Sequence, residues 1–301
     1  MLFRSYQIHP LLADWYGFLS IFLLLSWTAL QSKSLAATYA YFHVPEIVTG
    51  SVTMIFVLFM LVGGAKRIGE FSSALVPVMC MLYFVMCNII IFSHLSVLKE
   101  AIFSILSHAF TATAATGGFV GSTVLISMRQ GIFKAAFVTE AGVGTAAIPH
   151  ALADTDNPKH QGILAMYSMF GDTFFCIMSG LVALLTGVWT LGLKTNDLPL
   201  MAFKTILPKF GPIAYTAVVT LFVIGTAIGN SLNGSKNYAY FTNNRYLVFY
   251  YALVGICIFA GATSRTATLW DLTDILLPLI VIPHLIGLIL LSIRHRKDLM
   301  V

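Results

Sequence analysis

The fourth of the apolar segments in this chain, near residues 103–128, contains the run Thr111-Ala-Thr-Ala-Ala-Thr-Gly-Gly-Phe-Val-Gly-Ser-Thr123. An α-helix gains little from such residues, and unwound backbone at membrane depth is tolerated only where protein or a water-filled cavity satisfies its polar groups. The freed N–H groups can face a carboxylate, and the freed carbonyls can face a cation. The run therefore predicts a binding site for a small zwitterion. The alternative is a face of small residues on which two helices pack closely. The residues of this run leave both interpretations open.

The composition of the whole chain is typical of a membrane protein. Asp, Glu, Lys and Arg make up 10% of its 301 residues and apolar residues 58%, whereas a soluble domain carries about a quarter charged residues. Because a spanning helix needs about 20 mostly apolar residues, the chain has room for roughly eight crossings. We therefore predict an all-α polytopic membrane protein with a single transmembrane domain over residues 1–301. Its helices are expected near residues 14–30, 47–65, 74–95, 103–128, 161–190, 211–233, 246–263 and 271–293.

The distribution of basic residues predicts the orientation of the chain in the membrane. More Lys and Arg residues fall in the connections of one side than of the other, which favours a cytoplasmic location for both termini. The long connection from Arg129 to His160 lies on the same side, and Gly131, Gly142 and Gly144 are expected to break it into pieces. The basic residues are scattered singly, so the net charge of +5 does not indicate nucleic-acid binding.

A second polar run, Gly225-Thr-Ala-Ile-Gly-Asn-Ser-Leu-Asn-Gly234, lies in the sixth segment. Thr226, Asn230 and Ser231 offer the oxygen atoms that a hard cation such as sodium takes as ligands. The alternative is that the hydroxyls bond to carbonyls of their own helix.

Two further polar features lie in or beside the apolar segments. Gln31, Ser32 and Ser34 follow the first segment, where contact with water alone would explain them. Asp172 lies inside the fifth segment, and a carboxylate at that depth is by default a functional residue. We interpret it as part of a structural or gating hydrogen bond. No second intramembrane aspartate, no metal-ligand spacing and no nucleophile motif accompanies it, so the sequence does not predict an enzyme.

A series of spaced motifs extends over most of the chain. They are Thr116-Gly-Gly-Phe-Val-Gly-Ser122, Phe137-Val-Thr-Glu-Ala-Gly-Val-Gly144, Ala147-Ile-Pro-His-Ala-Leu-Ala-Asp-Thr-Asp-Asn-Pro158, Thr186-Gly-Val-Trp189 and Trp270-Asp-Leu-Thr-Asp274. Together they resemble the pattern of the alanine or glycine:cation symporters of bacteria and archaea. The resemblance implies a leucine-transporter-like fold of two inverted five-helix repeats, with the substrate between two discontinuous helices.

The resemblance also implies which parts of that fold the chain supplies. The first segment corresponds to the third helix of the fold and the fourth segment to the sixth, discontinuous helix. The family's first two helices have no counterpart before Trp15, so an N-terminally truncated chain is expected. The chain departs from the family pattern at Thr139 and at Gly229-Asn230, which alters one wall of the expected pocket. It also departs at Gly225, which removes a possible sodium-ligand hydroxyl.

The function implied by the resemblance is sodium-coupled import of alanine or glycine across the bacterial inner membrane. The residues expected to line the substrate are Gln31, Thr116, Gly117, Gly118, Gly121, Ser122 and Asn230, and Thr226 is expected to bind sodium. The implied partners are the amino acid, the sodium ion and the lipid bilayer, with sodium as coupling ion and no other cofactor or metal. The alternative is a non-transporting fragment or membrane subunit that pairs with a separately encoded N-terminal half.

Overall fold

The structure, a computed structural model, is helical in every regular element of the residues it describes, which are 9–110, 131, 134–135, 137–140, 142–155, 157–193 and 197–294. The α-helices are α1 Pro10–Ala40, α2 Glu46–Val62, α3 Gly64–Ser93, α4 Leu95–Phe110, α5 Ala147–Ala151, α6 Pro158–Leu185, α7 Leu198–Ile206, α8 Phe210–Thr242, α9 Leu247–Thr263 and α10 Thr266–Arg294. A short 3-10 helix, Val188–Leu191, follows α6.

Within these ranges, five helices are long and apolar enough to cross a membrane, namely α1, α3, α6, α8 and α10. Helices α2 and α9 have 17 residues each, which is at the lower end of the length that a spanning helix needs. Large apolar side chains face outward along them, as Ile55 and Phe59 do with exposed fractions of 63% and 58%. Lipid, unlike water, is a favourable surrounding for such surfaces. The prediction of an all-α polytopic membrane protein is confirmed.

Helix α1 continues ten residues beyond the predicted end of the first segment, to Ala40. Gln31, Ser32 and Ser34 therefore lie inside the helix and not at its end. Contact with water does not explain Ser32, which is only 1% exposed. The chain leaves α1 through a turn and enters α2 at Pro45, whose extended backbone precedes the first helical residue.

Two prolines, Pro278 and Pro283, lie inside α10. Because proline has no N–H group, Pro283 leaves the carbonyl of Leu279 without its usual helical donor. The indole N–H of Trp15 on α1 donates to that carbonyl at 3.0 Å. The contact between α1 and α10 thus satisfies a polar group that the proline frees at membrane depth.

The chain divides into two compact units. The first consists of Met1–Pro77, Gly142–Ala165 and Val219–Val301, and the second of Val78–Ala141 and Met166–Val218. Helices α3, α6 and α8 therefore each contribute residues to both units.

Close helix packing characterises the first unit, where α1 packs against α2, α9 and α10. A Cβ atom added to Gly261 of α9 would lie 2.6 Å from the carbonyl oxygen of Ala29 on α1. A Cβ atom added to Gly50 of α2 would lie 2.7 Å from the Cβ of Ala262, the next residue of α9. Small residues at these points let the backbones approach closely, which is how membrane helices gain van der Waals contact.

Aromatic side chains pack the second unit. The ring of Phe203 on α7 stacks on Tyr215 of α8 at a centroid distance of 5.4 Å, and it also contacts Tyr83 of α3. The hydroxyl groups of Tyr83 and Ser179 on α6 lie 2.6 Å apart, which is hydrogen-bond distance. These contacts join α3, α6, α7 and the start of α8.

The long connection between the fourth and fifth segments is broken at Gly142 and Gly144, as predicted, but Gly131 is helical, so the prediction is wrong at that residue. Gly142 and Gly144 have φ values of 78° and 87°, which are left-handed conformations that glycine adopts without a steric penalty. The five-residue helix α5 follows them, and α6 begins at Pro158.

Candidate functional site

Hydrogen bonds between side chains join α1 to α8 at three levels along their length. The pairs are Asp14 with Tyr240 at 3.0 Å, Ser20 with Asn237 at 2.6 Å and Tyr39 with Thr220 at 3.1 Å. Residue numbers rise along α1 as they fall along α8, so the two helices are antiparallel. All three pairs lie in the first unit.

This pairing determines which residues of α8 lie level with Gln31. Each residue advances a helix by about 1.5 Å, so the eleven residues from Ser20 to Gln31 match eleven residues back from Asn237, which is Thr226. Counting in the same way from Tyr39 and Thr220 places residue 228 level with Gln31, about half a helical turn from Thr226. Gln31 and Thr226, which the resemblance assigns to substrate and sodium, thus lie at nearly one depth. Asn230 lies about one turn further along α8.

The three residues differ in their exposure to solvent. Gln31 is half-buried, Thr226 is exposed and Asn230 is 5% exposed. Helix α8 runs without a break through its glycine-rich stretch, so Gly225 and Gly229 do not unwind it. The hydroxyl of Ser231 donates to the carbonyl of Ala227 at 2.6 Å, so the alternative of a bond within the helix applies to this residue.

Ser32, next to Gln31, has a buried hydroxyl group. Its Oγ has no hydrogen-bond partner within the part of the chain that the structure describes. Leaving a buried polar group unpaired costs on the order of 1–3 kcal/mol. The oxygen is therefore available to a ligand or a water molecule at the depth of Gln31.

Five of the predicted substrate residues lie outside the described residues. They are Thr116, Gly117, Gly118, Gly121 and Ser122. The discontinuous helix expected there stays a prediction from the sequence.

Asparagine side chains on α8 form a buried stripe that the sequence analysis did not recognise. Asn230, Asn233 and Asn237 are spaced by three and four residues, which places them on one face of a helix, and all three are buried. The same spacing can be read from the sequence. The contact between the hydroxyls of Ser26 on α1 and Thr273 on α10, at 2.8 Å, has no such sequence signal because the two residues are 247 positions apart.

Lys33 on α1 contacts two neighbouring helices, α2 and α9, close to Gln31. Its ammonium group donates to the carboxylate of Glu46 at 2.7 Å and to the carbonyl of Ala262 at 3.1 Å. Glu46 is the first residue of α2 and Ala262 is near the last of α9, so each helix dipole meets a charge of the favourable sign. The contacts hold α1, α2 and α9 together close to Gln31.

Near the depth of Gln31, the side chains of Gln31, Ser32, Thr226 and Asn230 offer hydroxyl and amide groups. Their oxygens are suitable ligands for a hard monovalent cation, and amide N–H groups are suitable donors to a carboxylate. Among the described residues, no three His, Cys, Asp or Glu side chains come together as a possible metal site. The arrangement is chemically suited to a small zwitterion together with sodium.

The sequence matches known carriers over most of its length. Residues 8–300 match the model of the sodium:alanine symporter family. An uncharacterized transporter of Haemophilus influenzae is 33% identical over 267 residues, covering 85% of this chain and 58% of that protein. The sodium/alanine symporter AgcS of Methanococcus maripaludis is 31% identical over 268 residues, covering 87% and 58%. The probable sodium/glutamine symporter GlnT of Bacillus subtilis is 29% identical over 233 residues, covering 76% and 48%.

The chain spans between about half and three fifths of the length of these relatives. All three are named as transporters, which agrees with a multi-pass membrane protein and with the absence of an enzyme motif from the sequence. The family match covers nearly the whole chain, and the motifs that suggested the family from the sequence lie within it. The chain therefore belongs to the sodium:alanine symporter family.

Proposed function

We propose that this chain is part of a secondary symporter that imports small neutral amino acids together with sodium. The observation that carries the proposal is the polar interface between α1 and α8, where Gln31 and Thr226 lie at one depth in a chain of the symporter family. In this proposal the Gln31 amide donates to the substrate carboxylate, and Asn230 forms part of the adjoining wall. Thr226 supplies a hydroxyl oxygen to sodium.

We propose alanine or glycine as the substrate. Related proteins are named for alanine and for glutamine, so the family accommodates neutral amino acids of different size. A neutral substrate agrees with the hydroxyl and amide groups of Gln31, Ser32, Thr226 and Asn230, which carry no formal charge that could pair with a charged substrate side chain. The run Thr116–Ser122 would then contribute backbone groups to the amino acid, as the resemblance implies.

We propose that the protein resides in the bacterial inner membrane with both termini and the connection around Lys159 in the cytoplasm. In a variant whose native cysteines are replaced, an impermeant maleimide added to intact cells should label Lys204→Cys and spare Lys159→Cys. Lysed cells, in which both positions are accessible, provide the control. Labelling of Lys159→Cys alone from the outside would reverse the proposed orientation.

The proposed transport activity is tested with a chimera in which this chain replaces the matched part of the Methanococcus maripaludis symporter. Proteoliposomes of the chimera should accumulate labelled L-alanine when an inward sodium gradient is imposed, and choline in place of sodium should abolish accumulation. Unlabelled glycine is expected to compete more strongly than glutamine. Accumulation that is independent of sodium, in a chimera that is folded and inserted, would contradict the proposal.

A further inference from the structure

A cavity of about 560 Å³ lies in the first unit, between the C-terminal half of α10 and residues 146–165. Its volume is within the range of about 300–1,000 Å³ that small-molecule pockets occupy. Much of the wall is alanine and glycine, so few side chains fill the space. A Cβ atom added to Gly162 of α6, which lines the cavity, would meet no atom within 4 Å.

One pair of polar side chains in the wall can form further hydrogen bonds. The Nδ1 of His150 and the Oε1 of Gln161 lie 3.0 Å apart. If Nδ1–H donates to the amide oxygen, the imidazole Nε2 remains an acceptor and the amide NH2 remains a donor. If the amide is turned over, the imidazole N–H becomes the spare donor and the amide oxygen the spare acceptor. In either arrangement the pair keeps one further donor and one further acceptor in the wall of the cavity.

No Asp, Glu, Lys or Arg lies among the described residues that line the cavity. The second histidine there, His284, is buried against the ring of Tyr16. Taking up a ligand with a net charge without a counter-charge would cost a large desolvation energy. A zwitterion has no net charge, yet it needs both a donor and an acceptor. Leu288 and Leu291 add an apolar surface to the same cavity.

We propose that this cavity binds a small neutral α-amino acid at a second site, separate from the α1–α8 interface. The ligand carboxylate accepts from the donor of the His150–Gln161 pair, the ligand ammonium donates to its acceptor, and the ligand side chain lies against Leu288. The choice of amino acid as ligand rests on the proposed function. With the proposed orientation the cavity lies on the cytoplasmic side, where an imported amino acid is released.

The test uses the purified 301-residue chain in detergent, with Ala151 in the cavity wall changed to cysteine and the four native cysteines replaced. L-Alanine should slow maleimide labelling of Ala151→Cys in a saturable manner, by about tenfold when its concentration is ten times the Kd. Propionate and ethylamine, which each lack one of the two charged groups, should not slow labelling at the same concentration. Slowing by all three compounds alike, or by none of them, would overturn the proposal.

Variants separate this cavity from the α1–α8 interface. Gln161→Leu removes one partner of the polar pair and Gly162→Leu fills the open space, so protection by L-alanine should be lost in both. Gly171→Leu is the matched control, because it lies on the same helix and its Cβ atom also meets open space. Gln31→Leu should retain protection even if the proposed transport function is wrong. Protection that persists in Gly162→Leu, or that disappears in Gln31→Leu alone, would place the bound alanine elsewhere.

Discussion

The hydrogen bond between Asn237 and Ser20 is the most direct evidence for the alignment of α8 with α1, and it makes a quantitative prediction. Both side chains are almost fully buried, with exposed fractions of 1% and 0%. The hydroxyl proton of Ser20 is already donated to the carbonyl of Gly17 at 2.9 Å, so Ser20 acts toward Asn237 as an acceptor. Asn237→Ala and Ser20→Ala therefore delete the same interhelical bond from opposite sides.

The expected coupling energy follows from the setting of the bond. Hydrogen bonds between membrane helices contribute about 0.6 kcal/mol on average and about 1.7 kcal/mol at most. The short distance of 2.6 Å and the complete burial place this bond in the upper part of that range. We expect a coupling energy of about 1–1.7 kcal/mol between Asn237→Ala and Ser20→Ala, since a double-mutant cycle cancels the packing that each substitution loses alone.

The assay is reversible unfolding of the four proteins of the cycle in mixed micelles, with the free energy of unfolding measured for each. Ser26→Ala serves as the control for Ser20→Ala, because the hydroxyl of Ser26 contacts Thr273 of α10 and not α8. Its effect should add to that of Asn237→Ala without coupling. A coupling energy near zero for Ser20 and Asn237 would refute the alignment of the two helices and, with it, the common depth of Gln31 and the α8 polar run.

Two further stability measurements test the packing of the first unit. Gly261→Leu should lower the free energy of unfolding by about 1–3 kcal/mol or more, because the new side chain has no room beside Ala29, whereas Gly69→Leu, whose Cβ meets open space, should change it little. Trp15→Phe should lower the free energy of unfolding by about 0.5–1.5 kcal/mol, because it removes the donor to the Leu279 carbonyl. This effect should vanish in a Pro283→Ala background, where the backbone N–H of residue 283 donates to that carbonyl. Equal effects of Trp15→Phe in the two backgrounds would contradict the role assigned to the indole N–H.

Much of the helical architecture could be predicted because the thickness of the hydrocarbon core determines the length of an apolar segment. The end of α1 could not be predicted in this way. Residues 31–34 are polar, and a reading of apolar runs stops before them. They remain helical in the structure because Lys33 donates to Glu46 on α2 and to a carbonyl of α9. No local sequence pattern predicts these two contacts.

The candidate site was predictable in part, and for different reasons at each residue. The family resemblance indicates Gln31, and both the polar run of the sixth segment and the resemblance indicate Thr226. Their common depth emerges only from the bonds of Ser20 and Tyr39 to α8. The pairing of His150 with Gln161 was not foreseen. His150 lies on α5, which ends at Ala151, and Gln161 lies on α6, which begins at Pro158, so no helical spacing relates the two residues.

The effect of Gln31→Leu on sodium-driven L-alanine uptake by the chimera tests the substrate site at the α1–α8 interface directly. A hydrogen bond to a charged group contributes about 1.5–3 kcal/mol, so its loss should lower kcat/KM for uptake by about 10- to 100-fold. Asn88→Leu is the matched control, because the Asn88 amide donates to the Phe84 carbonyl of its own helix. We expect Gln31→Leu to lose uptake and Asn88→Leu to retain it. Equal uptake by the two variants, with both inserted in the membrane, would contradict a substrate site at the α1–α8 interface.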